Sequence, residues 1–329
     1  STSIGLFLPA IIWVYSLTGT VDFVKGGILE GHASAGVTGV LLFLFMYGIG
    51  KAALMPIHRW LPAAMVAPTP VSALLHAVAV VKAGVFSVLK VVVYVFGIDF
   101  LSKTGAAEWL TWVAAYTLLA ASVVALTKDN LKARLAYSTI SQLAYIVLGA
   151  SMATSMGIAG GALQIVMHAF GKITLFFCAG AIYTAVHKTE ISDMRGLGRQ
   201  MPITFIAFLI GSLSIIGLPP LGGTWSKFYL MMGAAQSDEL ILMAVLLISS
   251  LLNIGYLLPI VVRGFFFSPL GKTVVPTAPG MEKGDFSWGQ IKEAPFFCVL
   301  PPVVTALCCF VLFFLADPIV NLILPIVAP

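Results

Sequence analysis

The chain has 329 residues, of which 60% are hydrophobic and only 9% charged, with a mean hydropathy of +1.04. Soluble domains carry roughly 25% charged residues, so a water-soluble fold is excluded. The net charge of +5 does not signal nucleic acid, because the basic residues are scattered between apolar runs and form no stripe for phosphates.

Cys178, Cys298, Cys308 and Cys309 lie inside apolar runs without the paired spacing of a zinc or iron–sulfur site, and read as small core or lipid-facing residues. There is no redox-cofactor motif and no Gly-rich phosphate loop, so neither a cofactor nor a catalytic centre is expected on this chain. The run that begins by Ile4 has no basic segment or cleavage site before it and reads as part of something longer.

A bilayer core of about 30 Å needs about 20 apolar residues per helix. By length and polar breaks, the expected spans are 3–19, 37–66, 70–97, 108–127, 134–152, 157–186, 202–236, 240–262 and 294–316. The run after Asp317 is too short to cross. The fold class is therefore an all-α polytopic membrane protein with about nine crossings. Alternating the connections between two faces collects Arg59, Lys128, Lys132, Arg134, Lys188, Arg195, Arg199, Arg263, Lys272, Lys283 and Lys292 on one face and only Lys25 and Lys103 on the other. The positive-inside rule makes the first face cytoplasmic and puts Asp238, Glu239 and Asp317 outside.

Two spans are expected to be broken: 37–66 at Pro56 and Pro62, and 202–236 at Pro219, Pro220, Gly222 and Gly223. Proline frees carbonyls at mid-membrane depth, which is tolerable only inside protein or beside a wet cavity. Paired interrupted helices also point to inverted-repeat transporters.

Five lysines remain inside spans: Lys51, Lys82, Lys90, Lys172 and Lys227. Each costs about 2.5–3.5 kcal/mol at a helix centre, so each needs a reason. Lys90 lies nearer an outer end and can snorkel. The other four sit near mid-span, with Lys51 and Lys227 beside breaks. His76 precedes Lys82 by six residues, about 9 Å along a helix, and His168 precedes Lys172 by four, on one face. Lysine and histidine that exchange protons make a relay, whereas lysine is a poor metal ligand and no carboxylates cluster nearby, so no metal is expected. All thirteen acidic residues fall in loops or at span ends. Any acidic partner for the lysines must come from elsewhere.

From Lys51 the stretch PIHRWLPAAMVAPTPVSALLHAVAVVKAG resembles the antiporter-like subunits of respiratory complex I and of Mrp-type multisubunit cation/proton antiporters. DNLKARLAYSTISQLAYIVLGA, MHAFGKITLFFCAGA and GLGRQMPITFIAFLIGSLSIIGLPPLGGTWSKFYL extend the likeness over most of 45–235. The resemblance implies two inverted five-helix repeats, each with a broken helix bearing a key lysine. On that reading 1–97 holds the last helices of the first repeat, 98–266 the second repeat, 267–293 a cytoplasmic loop, and 294–329 the final helix and tail. It casts Lys51 as the lysine of the first break, Lys82 as the central-axis lysine, Lys172 with His168 as the link between repeats, Lys227 as the lysine of the second break, and His76 as a histidine found after the first break. The family's first five helices, one carrying a glutamate that pairs with the first lysine, have no counterpart in this sequence, nor does the lateral helix of the largest complex I subunit.

The implied function is translocation of protons, or exchange of sodium for protons, along Lys51, His76, Lys82, His168, Lys172 and Lys227, with other integral membrane subunits as partners in a bacterial cytoplasmic (inner) membrane. A Mrp-type antiporter is the leading reading. A redox-driven complex I or membrane-bound hydrogenase is the alternative, and a structural membrane subunit without an ion path is the second.

Overall fold

A computed structural model describes residues 3–74, 79–267 and 291–327. The described residues are helical apart from connecting segments and one isolated bridge between Asn130 and Glu190. In chain order the helices are α1 Leu8–Thr18, α2 Ala35–Gly48, α3 Trp60–Ala63, α4 Thr69–Ala73, α5 Val80–Val91, α6 Ile98–Thr104, α7 Glu108–Thr127, α8 Leu131–Ser151, α9 Ser155–Val186, α10 Leu197–Gln200, α11 Pro202–Ile216, α12 Gly223–Gln236, α13 Leu240–Phe266, α14 Phe296–Phe314 and α15 Ala316–Val327. π-helical turns at Ser3–Phe7 and Val92–Phe96 extend α1 and α5.

Four of these, α7, α9, α13 and α14, are long and apolar enough to cross a bilayer alone. The helix Val80–Phe96 with α6 makes a fifth, bent by 79° at Gly97, whose φ of 86° favours glycine. The sequence reading ends a span at 97 without foreseeing the short helix beyond it. The 21-residue α8 is too polar to pass the same test, and all of it except Lys132, Ala133 and Tyr137 is buried. Such a helix survives in a membrane because neighbouring helices, not lipid, surround it.

The 32-residue α9 is the axis of the bundle. It packs against α8, α11, α12 and α14, and also touches α4, α5 and α15. Glycines let α12 and α8 approach it closely: a Cβ on Gly160 would lie 2.6 Å from the Leu230 nitrogen, and one on Gly233 would lie 2.5 Å from Gly157. In lipid, where apolar side chains gain little by leaving their surroundings, this backbone-to-backbone approach supplies the packing that holds helices together.

Both expected breaks are present, the first displaced. It begins where α2 ends at Gly48, before Pro56 and Pro62, because Gly50 and Ala53 take positive φ values of 37° and 55°. Side chains satisfy the freed backbone: Trp60 Nε1 donates to the Gly50 carbonyl at 3.1 Å, Tyr47 donates to the Met55 carbonyl at 3.0 Å, and the Met55 amide donates to Thr117 at 3.3 Å. The second break falls at 217–222, as its Gly–Pro content implies. Gly217 turns the chain with a φ of 89°, and the Gly222 amide donates to the Cys309 carbonyl of α14 at 3.0 Å.

Gly233→Ala forces a methyl group into the Gly157 backbone, and overpacking of this kind costs about 1–3 kcal/mol. The expected result is a lower thermal midpoint for the purified protein, whereas an alanine at exposed Gly36, with open space around it, leaves the midpoint unchanged.

Candidate functional site

The central helices bring together three of the six residues singled out from the sequence. Lys82 on α5 and His168 on α9 are 86 positions apart, yet Lys82 Nζ and His168 Nδ1 are in hydrogen-bond contact. They are 6% and 1% exposed, and Lys172, one helical turn after His168, is 0% exposed. Gly84 permits this placement: a Cβ there would lie 2.6 Å from the Lys51 carbonyl carbon, so α5 lies directly on the first break.

Lys172 donates to Ser138 Oγ of α8 at 2.6 Å. Ser138 in turn pairs with the Tyr256 hydroxyl of α13 at 3.0 Å, and Tyr256 donates to Asn253 Oδ1. The buried ammonium thus enters a chain of hydroxyls with no acid in it. A second chain runs from Ser226 on α12 to Gln164 on α9 and, at 2.8 Å, to Gln142 on α8.

Lys227, near the start of α12, reaches back across the second break. Its ammonium donates to the Ile216 carbonyl at 2.8 Å and to Ser250 at 2.9 Å, and lies 5.1 Å from the centre of the Tyr145 ring. The physical reason is reciprocal. A helix ending at Ile216 leaves carbonyls without partners and a negative dipole end, and a cation placed there satisfies both. At the opposite end of α11, Glu293 accepts from the Ile203 amide at 2.7 Å, the Thr204 amide at 3.3 Å and the Thr204 hydroxyl at 2.7 Å. Thus α11 is held between an anion at its N-terminus and a cation at its C-terminus.

The remaining sequence candidates fall outside this cluster. Lys51 sits at the first break as expected, but its side chain is exposed. His76 lies outside the described residues. Lys90 is half-buried with Nζ 4.0 Å from the centre of the Phe23 ring, an aromatic partner for a lysine read as snorkelling. Among the described residues the one ion pair is Lys103–Glu30 at 3.4 Å, on the surface. Cys178 and Cys309 are buried, Cys298 and Cys308 partly so, and all four are free. A cleft of about 710 Å³ between α4, α9 and α14, lined by residues such as Val66, Phe177, Tyr183 and Phe297, includes none of the described residues of the row.

Sequence reasoning missed Ser138, Gln142, Tyr145, Ser250, Asn253 and Tyr256. They are uncharged and cost little in a helix, so a search for buried charge passes over them. Their spacing was the available signal. Ser138, Gln142 and Tyr145 stand at i, i+4 and i+7, and Ser249, Asn253 and Tyr256 repeat that interval. Each set therefore lies along one helix face.

A family model described as NADH:quinone oxidoreductase/Mrp antiporter, TM, matches residues 1–253. The chain is 37% identical over 259 residues to NAD(P)H-quinone oxidoreductase chain 5 of Synechocystis sp., covering 72% of this chain and 36% of that protein. It is 31% identical over 284 residues to NADH-quinone oxidoreductase subunit N of Desulforudis audaxviator, covering 84% and 56%. Among solved structures, a chain of the Mrp complex from Dietzia sp. superposes with a TM-score of 0.79 at 21% identity, covering 99% of this chain and 65% of that one. The likeness to the Dietzia chain is one of fold. In each case the chain spans less than two thirds of its relative's length.

Glu293→Ala removes three hydrogen bonds from the N-terminus of α11, where loss of a capping side chain costs about 0.5–2 kcal/mol. The expected readout is faster amide hydrogen exchange in the first turn of α11 relative to α7 of the same protein.

Proposed function

The chain belongs to the NADH:quinone oxidoreductase/Mrp antiporter transmembrane family, whose pattern runs through residues 1–253, and on that premise we propose that it conducts protons along the row Lys51, His76, Lys82, His168, Lys172 and Lys227 within a multisubunit membrane complex. The observation that carries this reading is a set of lysines, Lys82 and Lys172 buried and Lys227 partly so, joined to histidine and hydroxyls, with no carboxylate beside them among the described residues. Lysine and imidazole each hold or release one proton. Two unit charges 4 Å apart repel by about 4 kcal/mol at an effective dielectric of 20. Adjacent Lys82 and His168 therefore favour sharing a proton over holding one each, and a proton arriving at one site drives another onward.

Sodium fits the described part of the row poorly, because it prefers carboxylate and carbonyl oxygens and ammonium groups repel it. Lys51 and His76 belong to the proposed row on their motif positions alone. The proposed frame has nine crossings, with two inverted repeats meeting near residues 97–98, basic loops on the cytoplasmic side of a bacterial inner membrane, and other membrane subunits alongside. The quinone oxidoreductase names of the relatives favour a redox-driven complex over the free-standing Mrp-type antiporter expected from the sequence. In either setting this chain's part is the same.

Lys172→Met and Lys227→Met, made in the complete protein inside its complex, are each expected to cut proton transport into inverted membrane vesicles by at least about tenfold while the complex content stays constant. Full transport by both variants would leave the lysines a structural role and sink the proposal.

A further inference from the structure

The cleft between α4, α9 and α14 is built in two zones. Its walls are apolar, from Phe177 and Tyr183 of α9, Phe297 and Pro301 of α14, and Val66 and Pro68 ahead of α4. One end is basic, with Lys132 and Lys188. Its volume of about 710 Å³ falls in the range of about 300–1,000 Å³ usual for small-molecule sites.

The chain folds so that both lysines stand at the same end. Lys132 lies in the first turn of α8 and Lys188 two residues past the end of α9. The Leu131 amide donates to the Thr189 carbonyl at 2.9 Å, which ties those two helix ends side by side. Lys132 Nζ donates to the Ala67 carbonyl at 3.0 Å and Lys188 Nζ to the Asp193 carbonyl at 2.6 Å. An ammonium has three donors, so each keeps hydrogens to give. No Asp or Glu lines the cleft among the described residues. The nearby acids are engaged elsewhere: Glu190 accepts from Asn130 at 2.9 Å, and Asp129 accepts from Ser192 at 2.6 Å. Two cations therefore close one end of an apolar trough with no carboxylate at ion-pair distance among the described residues.

From that end α9 carries the wall inward. Thr184, Gly180 and Phe177 follow at intervals of four and three residues and so share a face. From Phe177 to the end of α9 the rise is about 14 Å, close to the hydrocarbon depth of one leaflet, about 15 Å. At Gly180 a Cβ would lie 3.2 Å from the Thr69 side chain, so the glycine lets α4 close that side of the trough.

We infer that this cleft binds one anionic phospholipid, its phosphate between Lys132 and Lys188 and one acyl chain along Phe177, Tyr183 and Phe297. Basic pockets between membrane helices suit anionic headgroups. A zwitterionic lipid would bring a cation of its own to the two ammonium groups. A free phosphate would answer the lysines but leave the apolar walls uncovered. The site lies apart from the conducting row and does not depend on it.

The test is native mass spectrometry of the complete protein in its complex, in micelles with equal amounts of phosphatidylglycerol and phosphatidylcholine. Wild type is expected to retain one phosphatidylglycerol more than the double variant Lys132→Gln, Lys188→Gln, whose affinity for that lipid falls about 25-fold, about fivefold per lysine. Thr184→Trp, at an exposed position in the trough, keeps both lysines and is expected to lose the same lipid, because the indole takes the place of the acyl chain. Added inorganic phosphate is expected to leave the lipid bound. Equal retention of phosphatidylglycerol by wild type and both variants, or no preference of wild type between the two lipids, overturns the inference. So does displacement of the lipid by inorganic phosphate, or a map of the complex with a protein segment in the cleft. None of these readouts contains a transport step, so failure here leaves the conducting row standing, and failure of the row leaves this site standing.

Discussion

Inside hydrocarbon every polar group must find its partner within the protein, and this structure turns on one place where two such needs meet. The break at 217–222 frees the Ile216 carbonyl, and Lys227 brings an ammonium with no acid beside it among the described residues. Each satisfies the other at 2.8 Å. Without the cation, α11 would end in an unpaired carbonyl. Without the carbonyl, the cation would keep only Ser250 and the face of the Tyr145 ring. The break and the lysine are therefore one feature, and the close passage of Gly217 and Gly223 against the chain makes room for it.

The same economy organises the rest of the centre. The axis helix α9 carries His168 and Lys172 on a single face, and its glycines draw α8 and α12 in until Ser138, Gln142 and Ser226 reach it. The polarity of α8, which makes it a poor lipid-facing helix, is what lets it solvate a lysine. Hydroxyls, with a backbone carbonyl at Lys227, stand here where an ion pair would have a carboxylate.

The coarse design was legible in the sequence because charge and proline are loud signals in a membrane. The span 108–127 coincides with α7, the second break lies where Pro219 and Gly222 put it, and Lys172 emerges as buried and Lys227 as partly buried from their mid-span positions. The finer design was silent. The contact of Lys82 with His168 joins residues 86 positions apart, which no local spacing reports. The first break is set by positive φ at Gly50 and Ala53, upstream of the prolines that advertised it. Ser249, Asn253 and Tyr256 sit in a run otherwise so apolar that α13 reads as an ordinary span. Lys51 shows that mid-span position alone does not bury a side chain.

The central claim is that the buried lysines are proton carriers and not fixed cations that hold broken helices together. Lys227→Arg in the intact complex separates the two, because arginine keeps the charge and the donors but does not deprotonate in a protein. A structural cation survives this change. The account predicts that proton transport into inverted vesicles falls at least about tenfold although the complex assembles normally. Transport at the wild-type rate with arginine in place would contradict it.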